Sequence, residues 1–243
     1  MTNSSGAVGM DGDRPVPGQA VVIGAGSGLG RSLALRFADE GLHVALLARN
    51  GRRLQEIVGQ IRARGGTARA VRVDAGQPQR LAEVVADLSR QAPIGLLAYN
   101  AAAIEGRLST STLPELEHAA AVNLHSPVLA VQAALADLQA HAGSVLLTGG
   151  GFALYPSGEF GVLSVGKAGL RATALALAAD LAPSKVKVRT ITVAGTISPG
   201  SPLDPDLIAE LFWQVHLRPD GPVETVCDDA TSALAALRAG SST

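Results

Sequence analysis

The feature that most restricts the fold is a repeated alternation, in which short β-rich runs are each followed by a longer stretch with apolar residues at helical spacing. It begins with AVVIGAG (20–26) and passes into LGRSLALRFADEG (29–41), where Leu29, Leu33 and Phe37 form one stripe and Gly41 stands where a helix ends. HVALLAR is the next strand, and Leu54, Ile57, Val58 and Ile61 mark a buried helical face that Gly65-Gly66 stops before ARAVRV. The cycle repeats with Leu81, Val84, Val85 and Leu88, followed by IGLLAY. Alternation of this kind predicts parallel strands with helices on both faces. The expected fold is an α/β, doubly wound Rossmann domain over residues 19–243, with a mostly parallel sheet of six or seven strands.

Thr112, Pro114 and Glu115 read as a capping box with an early proline, opening a fourth helix that runs through NLHSPVLAVQAALADL and bends at Pro127. SVLLT is a fifth strand, a glycine-rich loop from Gly149 to about Gly161 follows, and a fifth, Ala/Leu-rich helix runs to about Leu181. VKVRTITV is the sixth strand. Past Gly195 lies one amphipathic segment, DPDLIAELFWQVH, with Leu207, Leu211 and Val215 on a shared face, and residues 195–218 are expected to cover a substrate. In the last twenty-five residues PVETVC reads as a short edge strand and ATSALAALR as a helix.

Twenty basic residues against twenty-one acidic ones leave a formal charge of −1, so there is no general basic field for nucleic acid or an acidic membrane surface. With 47% apolar and 17% charged residues the chain is neither disordered nor tail-like. The longest apolar stretches are broken by Asp, Gly, Lys or Pro, and no membrane span is expected. Residues 1–18 lack a secretory pattern and are expected to be a flexible extension. A lone cysteine, Cys227, reads as a small hydrophobe and fits a reducing, cytoplasmic setting; no metal site is expected.

The turn Gly24-Ala25-Gly26-Ser27-Gly28-Leu29-Gly30 joins the first strand to the first helix. There, glycines let backbone amides approach a pyrophosphate and the helix N-terminus favours its charge. The second strand closes on Ala48-Arg49-Asn50. An acidic residue at that point would accept from the ribose hydroxyls, whereas Arg49 can pair with a 2′-phosphate, which favours NADP(H). Asp74, closing the third strand, is placed either to accept from the adenine amino group or to cap the following loop.

From about Ala20 to Gly195 the chain resembles the short-chain dehydrogenase/reductases. Gly24, Gly28 and Gly30 match the family's glycine fingerprint, with Ile23 in place of its usual threonine. Tyr99-Asn100-Ala101-Ala102 half-matches its Asn-Asn-Ala-Gly motif, and Val122-Asn123-Leu124 supplies its helix asparagine. The resemblance assigns Lys167 to the lysine of the catalytic Tyr-x-x-x-Lys. The tyrosine position is Leu163, and the serine expected about thirteen residues earlier falls in Thr148-Gly149-Gly150-Gly151. The usual Pro-Gly after the sixth strand is Ala194-Gly195.

In the family the tyrosine supplies a proton to the nascent alkoxide, the lysine lowers its pKa and the serine holds the oxygen. Leu163 does neither job. Cofactor handling is what the resemblance leaves: Lys167 on the nicotinamide ribose, Asn100 beside the cofactor, and Asn123 anchoring the helix kink and a water chain. Replacement donors are few. Tyr155 lies in the loop after the fifth strand and is the candidate phenol. Ser164 points about 100° away from the lost tyrosine, and His125 reads as structural. Trp213 and His216 lie on the covering segment, and Tyr99 reads as packing beside the adenosine.

Three readings stand: an NADP(H)-dependent oxidoreductase acting on a small molecule without the Ser-Tyr pair, a non-redox cyclase or isomerase, and a non-catalytic cofactor-binding homologue. The resemblance also implies a homodimer or homotetramer through the fourth and fifth helices.

Overall fold

A computed structural model describes residues 18–104 and 106–239. Most of the expected N-terminal extension, residues 1–17, lies outside the described residues. Seven strands form one sheet in the order β3-β2-β1-β4-β5-β6-β7, every neighbouring pair parallel. The strands are β1 (Gln19–Ile23), β2 (His43–Ala48), β3 (Ala68–Arg72), β4 (Ile94–Tyr99), β5 (Ser144–Gly150), β6 (Lys187–Val193) and β7 (Glu224–Cys227). The order reverses direction between β1 and β4, which opens a crevice at their carboxyl ends.

Side chains alternate along each strand, so successive residues enter different cores. Ala20 and Val22 join Val44, Leu46, Ala98 and Ile191 under α1 (Leu29–Asp39), α2 (Gly51–Ala63), α7 (Pro205–Leu217) and α8 (Ala230–Ala239). Val21 and Ile23 join Leu47, Leu97, Val145 and Val188 under α3 (Pro78–Gln91), α5 (Ser126–Ala140) and α6 (Gly161–Leu181). The stripes read from sequence are the buried ones: Leu54, Ile57, Val58 and Ile61 on α2, and Leu81, Val84, Val85 and Leu88 on α3. Gly41 closes α1 at φ +83°, a conformation open to a residue without Cβ.

The expected fourth helix is interrupted. It starts as α4 (Leu113–Ala120) behind the Thr112–Glu115 capping box, widens into a π turn over Ala121–His125, and resumes as α5. Pro127 explains the position: it has no N–H, and its ring crowds the carbonyl four residues back, that of Asn123. This helix packs closely on α6, since a Cβ on Gly166 would fall 2.5 Å from Asn123 Nδ2 and one on Gly169 would fall 2.4 Å from Leu124 Cδ2.

Three expectations need correction. β5 runs two residues past Thr148, because Gly149 and Gly150 pair with Thr192 and Val193; a Cβ on Gly149 would meet the Thr192 hydroxyl at 2.6 Å. The amphipathic segment after β6 buries a different face from the expected Leu207–Leu211–Val215 stripe. α7 packs on α1 through Ile208, Leu211, Phe212 and Val215, while Leu207 stays exposed. Trp213 lies 6.2 Å from the Phe37 ring with the Arg36 guanidinium over it, and its other neighbour is His216. Lastly, Leu113–Ala140 and Gly161–Ser184 do reach the length and hydropathy of a membrane span, with a mean hydropathy of 1.3 each. Their inner faces nevertheless contribute to the core beside the sheet, with Ala130, Val131, Leu138 and Leu170 in it. β7 and α8 form as the C-terminal sequence suggests, and Cys227 is buried in the first core.

Candidate active site

The crevice at the strand ends is a cleft of about 470 Å³ lined by the glycine turn, the end of β2, the loop after β3 and residues 100–104. Each glycine in the turn has its own reason. Gly24 sits at φ +86°, where a Cβ would lie 2.4 Å from Ala101 N, and a Cβ on Gly30 would lie 2.2 Å from Gly24 O. Gly26 and Gly28 face open space instead. The first pair closes the turn onto the sheet and the second pair clears its outer side. Behind Gly28, α1 begins with buried Leu29 and exposed Ser27, with no side chain capping its first amides and no acidic residue in its first turn. Such an end leaves N–H groups free to meet an anion.

Asn100 fixes this geometry. Its Nδ2 donates to Gly24 O at 3.0 Å and its Oδ1 accepts from Thr148 Oγ1 at 3.0 Å, which ties together the ends of β1, β4 and β5. Arg49 is exposed at the rim with Asn50, whose side chain caps α2 by accepting from Arg53 N. Arg53, which the sequence reading did not single out, lines the cleft four residues on from Arg49. Arg72 stands beside them and donates to Arg49 O. Asp74 also lines the cleft and caps its loop, accepting from Gly76 N at 2.9 Å. His118, another residue that sequence did not single out, lines the same wall. A Cβ on Gly76 would touch its ring at 2.6 Å, so the glycine at 76 is the one local sign of it.

At the other end, Lys167 is 8% exposed and donates from Nζ to Thr148 O at 2.8 Å. Burial pushes its ammonium down to about 8. Gly150 runs along its stem, where a Cβ would lie 3.3 Å from Cε. Leu163 is buried one turn before Lys167, and no hydroxyl is carried at positions 149, 150, 151 or 163. Asn123 is buried inside the π turn and clasps Ala103, accepting from its N–H at 3.2 Å and donating to its carbonyl at 3.3 Å. Its side chain therefore braces the cleft wall.

The remaining candidates fall elsewhere. Tyr155 is 75% exposed and, like Lys167, is not among the residues that line the cleft. Tyr99 is buried in the second core with its hydroxyl donating to Val122 O, and burial pushes its phenol up; it is core and not a cofactor wall. Ser164 braces the loop before α6, donating to Phe160 O and accepting from Ser157 N. His125 is exposed on the π turn.

Residues 19–201 match the short chain dehydrogenase family. The chain is 31% identical over 183 residues to a very-long-chain 3-oxoacyl-CoA reductase of Eremothecium gossypii, covering 71% of this chain and 52% of that protein. It is 32% identical to a cis-2,3-dihydrobiphenyl-2,3-diol dehydrogenase of a Pseudomonas species, covering 72% and 65% respectively. It thus spans about half to two thirds of the length of these relatives. Among solved structures, a short-chain dehydrogenase of Sphingobium yanoikuyae in complex with NADPH superposes with a TM-score of 0.77 at 24% identity, covering 91% of this chain and 94% of that one. One from Rhodopseudomonas palustris gives 0.78 at 25% identity, with 86% and 96% covered. With the fold, the glycine turn and a family match over three quarters of its length, the chain belongs to the short chain dehydrogenase family.

Proposed function

We propose that the chain is an NADP(H)-dependent oxidoreductase that acts on a small organic molecule without a Ser-Tyr pair. The observation that supports this reading is the cleft at the strand ends, with a glycine turn that has room for a pyrophosphate on its outer side. Gly26 and Gly28 leave open the space a Cβ would fill, the uncapped start of α1 offers its amides, and Arg49 and Arg53, which line the cleft, would pair with a 2′-phosphate. Ser27, Leu29 and Gly30 shape the turn, Gly24 and Asn100 lock it, Asp74 faces the adenine end, and Lys167 holds the nicotinamide ribose. A bound nicotinamide dinucleotide supplies or accepts hydride.

The protein's own part is to bind, orient and hold a cation near the reacting end. Asn123 acts by fixing the Ala103 wall. The Lys167 ammonium, with one N–H spent on Thr148 O, keeps two to donate. Without a phenol or serine hydroxyl beside it, the site suits substrates that need no strong acid at the reacting oxygen, such as an iminium ion or a conjugated acceptor. Tyr155 contributes to the substrate end rather than to cofactor binding.

The same reading includes a homodimer or homotetramer through the α4–α5 helix and α6, whose outer faces leave Leu113, Val165 and Leu175 exposed. It also includes a cytoplasmic location, in keeping with the lone buried thiol.

Calorimetric titration tests the core of it. NADPH should bind at least tenfold more tightly than NADH, and Arg49→Ala should remove that preference while leaving NADH unchanged. Equal affinities in the parent protein refute the cofactor assignment. Tight NADPH binding without NADPH oxidation on any iminium or enone substrate favours the non-redox or non-catalytic reading.

A further inference from the structure

Three of the aromatic side chains sit apart from the rest. Phe37, Phe212 and Tyr99 are fully buried, whereas Phe152, Tyr155 and Phe160 all lie between Gly151 and Gly161 and keep surface in contact with solvent. Phe152 and Phe160 stack with centroids 5.4 Å apart and an interplanar angle of 21°. The loop after β4 leaves Ile104, on the cleft wall, 69% exposed and Leu108 52% exposed.

The two sides are joined. Val162 N donates to Gly106 O at 3.0 Å, and Leu108 lies against Gly161, whose Cβ would fall 3.0 Å from Leu108 Cγ. Gly161 opens α6, so this apolar shelf lies at the start of the helix that carries Leu163 and Lys167. Arg107 and Glu159, both exposed, belong to the same two loops.

The segment after β6 does not cover it. Residues 194–204 turn toward the opposite core, with Leu203 and Ile197 packed there, Ser198 N donating to Leu203 O, and Ala230 N donating to Pro202 O. Exposed aromatics next to a functional cleft call for an occupant, because aromatic faces gain most from a flat partner in offset stacking.

We infer that the shelf of Ile104, Leu108, Phe152, Tyr155 and Phe160 binds a flat, neutral aromatic portion of the substrate and delivers the adjoining reactive carbon toward Lys167. This rests on the proposed oxidoreductase reading. The stacked phenylalanines supply the platform, Tyr155 the outer edge, and the open side admits a group larger than a covered pocket accepts.

The test is calorimetric and ligand-observed NMR titration of NADP+-loaded protein with 2-acetonaphthone, and with 2-octanone as a flexible apolar ketone without a π face. The aromatic ketone should bind at least tenfold more tightly. Tyr155→Ala and Phe152→Ala should each weaken it at least fivefold with NADPH affinity unchanged. Phe160→Leu, which keeps apolar bulk against Phe152, should weaken it at least threefold while leaving the melting temperature within a few degrees.

Equal binding of the two ketones, or variants indistinguishable from the parent, overturns the inference. So does sedimentation showing that Phe160→Leu dissociates an oligomer whose intact form does not bind the naphthyl ketone, since a second copy then covers the shelf. Failure of NADPH to bind the parent refutes the cofactor reading instead, and titrating the cofactor-free protein with the two ketones still decides the shelf.

Discussion

Lys167 should make folding stability rise between pH 7 and pH 9. Its ammonium is buried, its hydrogen-bond acceptor is the Thr148 carbonyl, and desolvation pushes it from 10.5 to about 8. A lysine depressed in the folded state is protonated there less readily than in the unfolded chain, so between about pH 8 and 10.5 the unfolded chain binds more protons and stability increases with pH. Below about pH 8 both states are charged and the full penalty applies. At about 1.4 kcal/mol per pKa unit, that penalty is about 3 kcal/mol at pH 7 and falls to about 2 kcal/mol by pH 9. Urea unfolding of the cofactor-free parent and of Lys167→Met at both pH values isolates the effect, since other titrations cancel in the difference. The parent should gain about 1 kcal/mol on the variant over those two pH units. Parallel pH profiles would show that the ammonium is solvated, and the buried cation would lose its place in the site.

Two glycine substitutions separate folding from cofactor binding: Gly30→Ala drives a Cβ to 2.2 Å from Gly24 O and should cost about 1–3 kcal/mol of stability, whereas Gly28→Ala meets open space and should keep its melting temperature while losing NADPH affinity. Identical behaviour of the two in thermal melts and titrations contradicts that division. Leu163→Tyr alone should yield no ketone reduction. Adding Gly150→Ser, whose Cβ meets only the flexible Lys167 stem at 3.3 Å, should yield some in a coupled NADPH assay, while Gly149→Ser should unfold at lower urea because it strikes Thr192. Charge placed on the outer face of α6, as in Leu175→Glu, should shift the sedimentation coefficient toward that of a monomer; a parent that is already monomeric at micromolar concentration removes the oligomer from the proposal.

Where local pattern and tertiary packing agree, the sequence is informative. The α2 and α3 stripes and the Thr112 cap depend on spacings within one element, and the parallel sheet follows from the alternation of elements. α7 was misread because its apolar residues run almost around the helix. Leu207, Leu211 and Val215 make a plausible stripe, but the face turned to α1 is centred on Ile208, Leu211, Phe212 and Val215, and only contact with Phe37 and Arg36 selects it. The two long apolar helices posed the opposite problem. Interruptions by Asp, Gly and Pro argued against a span, yet overall hydropathy still reaches that level, and it takes the sheet beneath to show where those faces go.

At the site, motif residues were visible and their supports were not. Asn100 bridges Gly24 and Thr148 across three strands, and His118 reaches the cleft from α4, neither of which any local spacing encodes. Lys167 was visible by motif, but its energetic meaning comes only from burial. The chain buries a cation, which desolvation disfavours, with a backbone carbonyl as its hydrogen-bond acceptor. An apolar residue of similar length would avoid that cost. A site with no ligand to serve has no physical reason to bear it, whereas a bound hydroxyl-rich, anionic dinucleotide would repay it through the two remaining N–H donors. The buried Lys167 cation therefore adds to the glycine turn as support for cofactor handling, because glycine turns of this shape also serve structure alone.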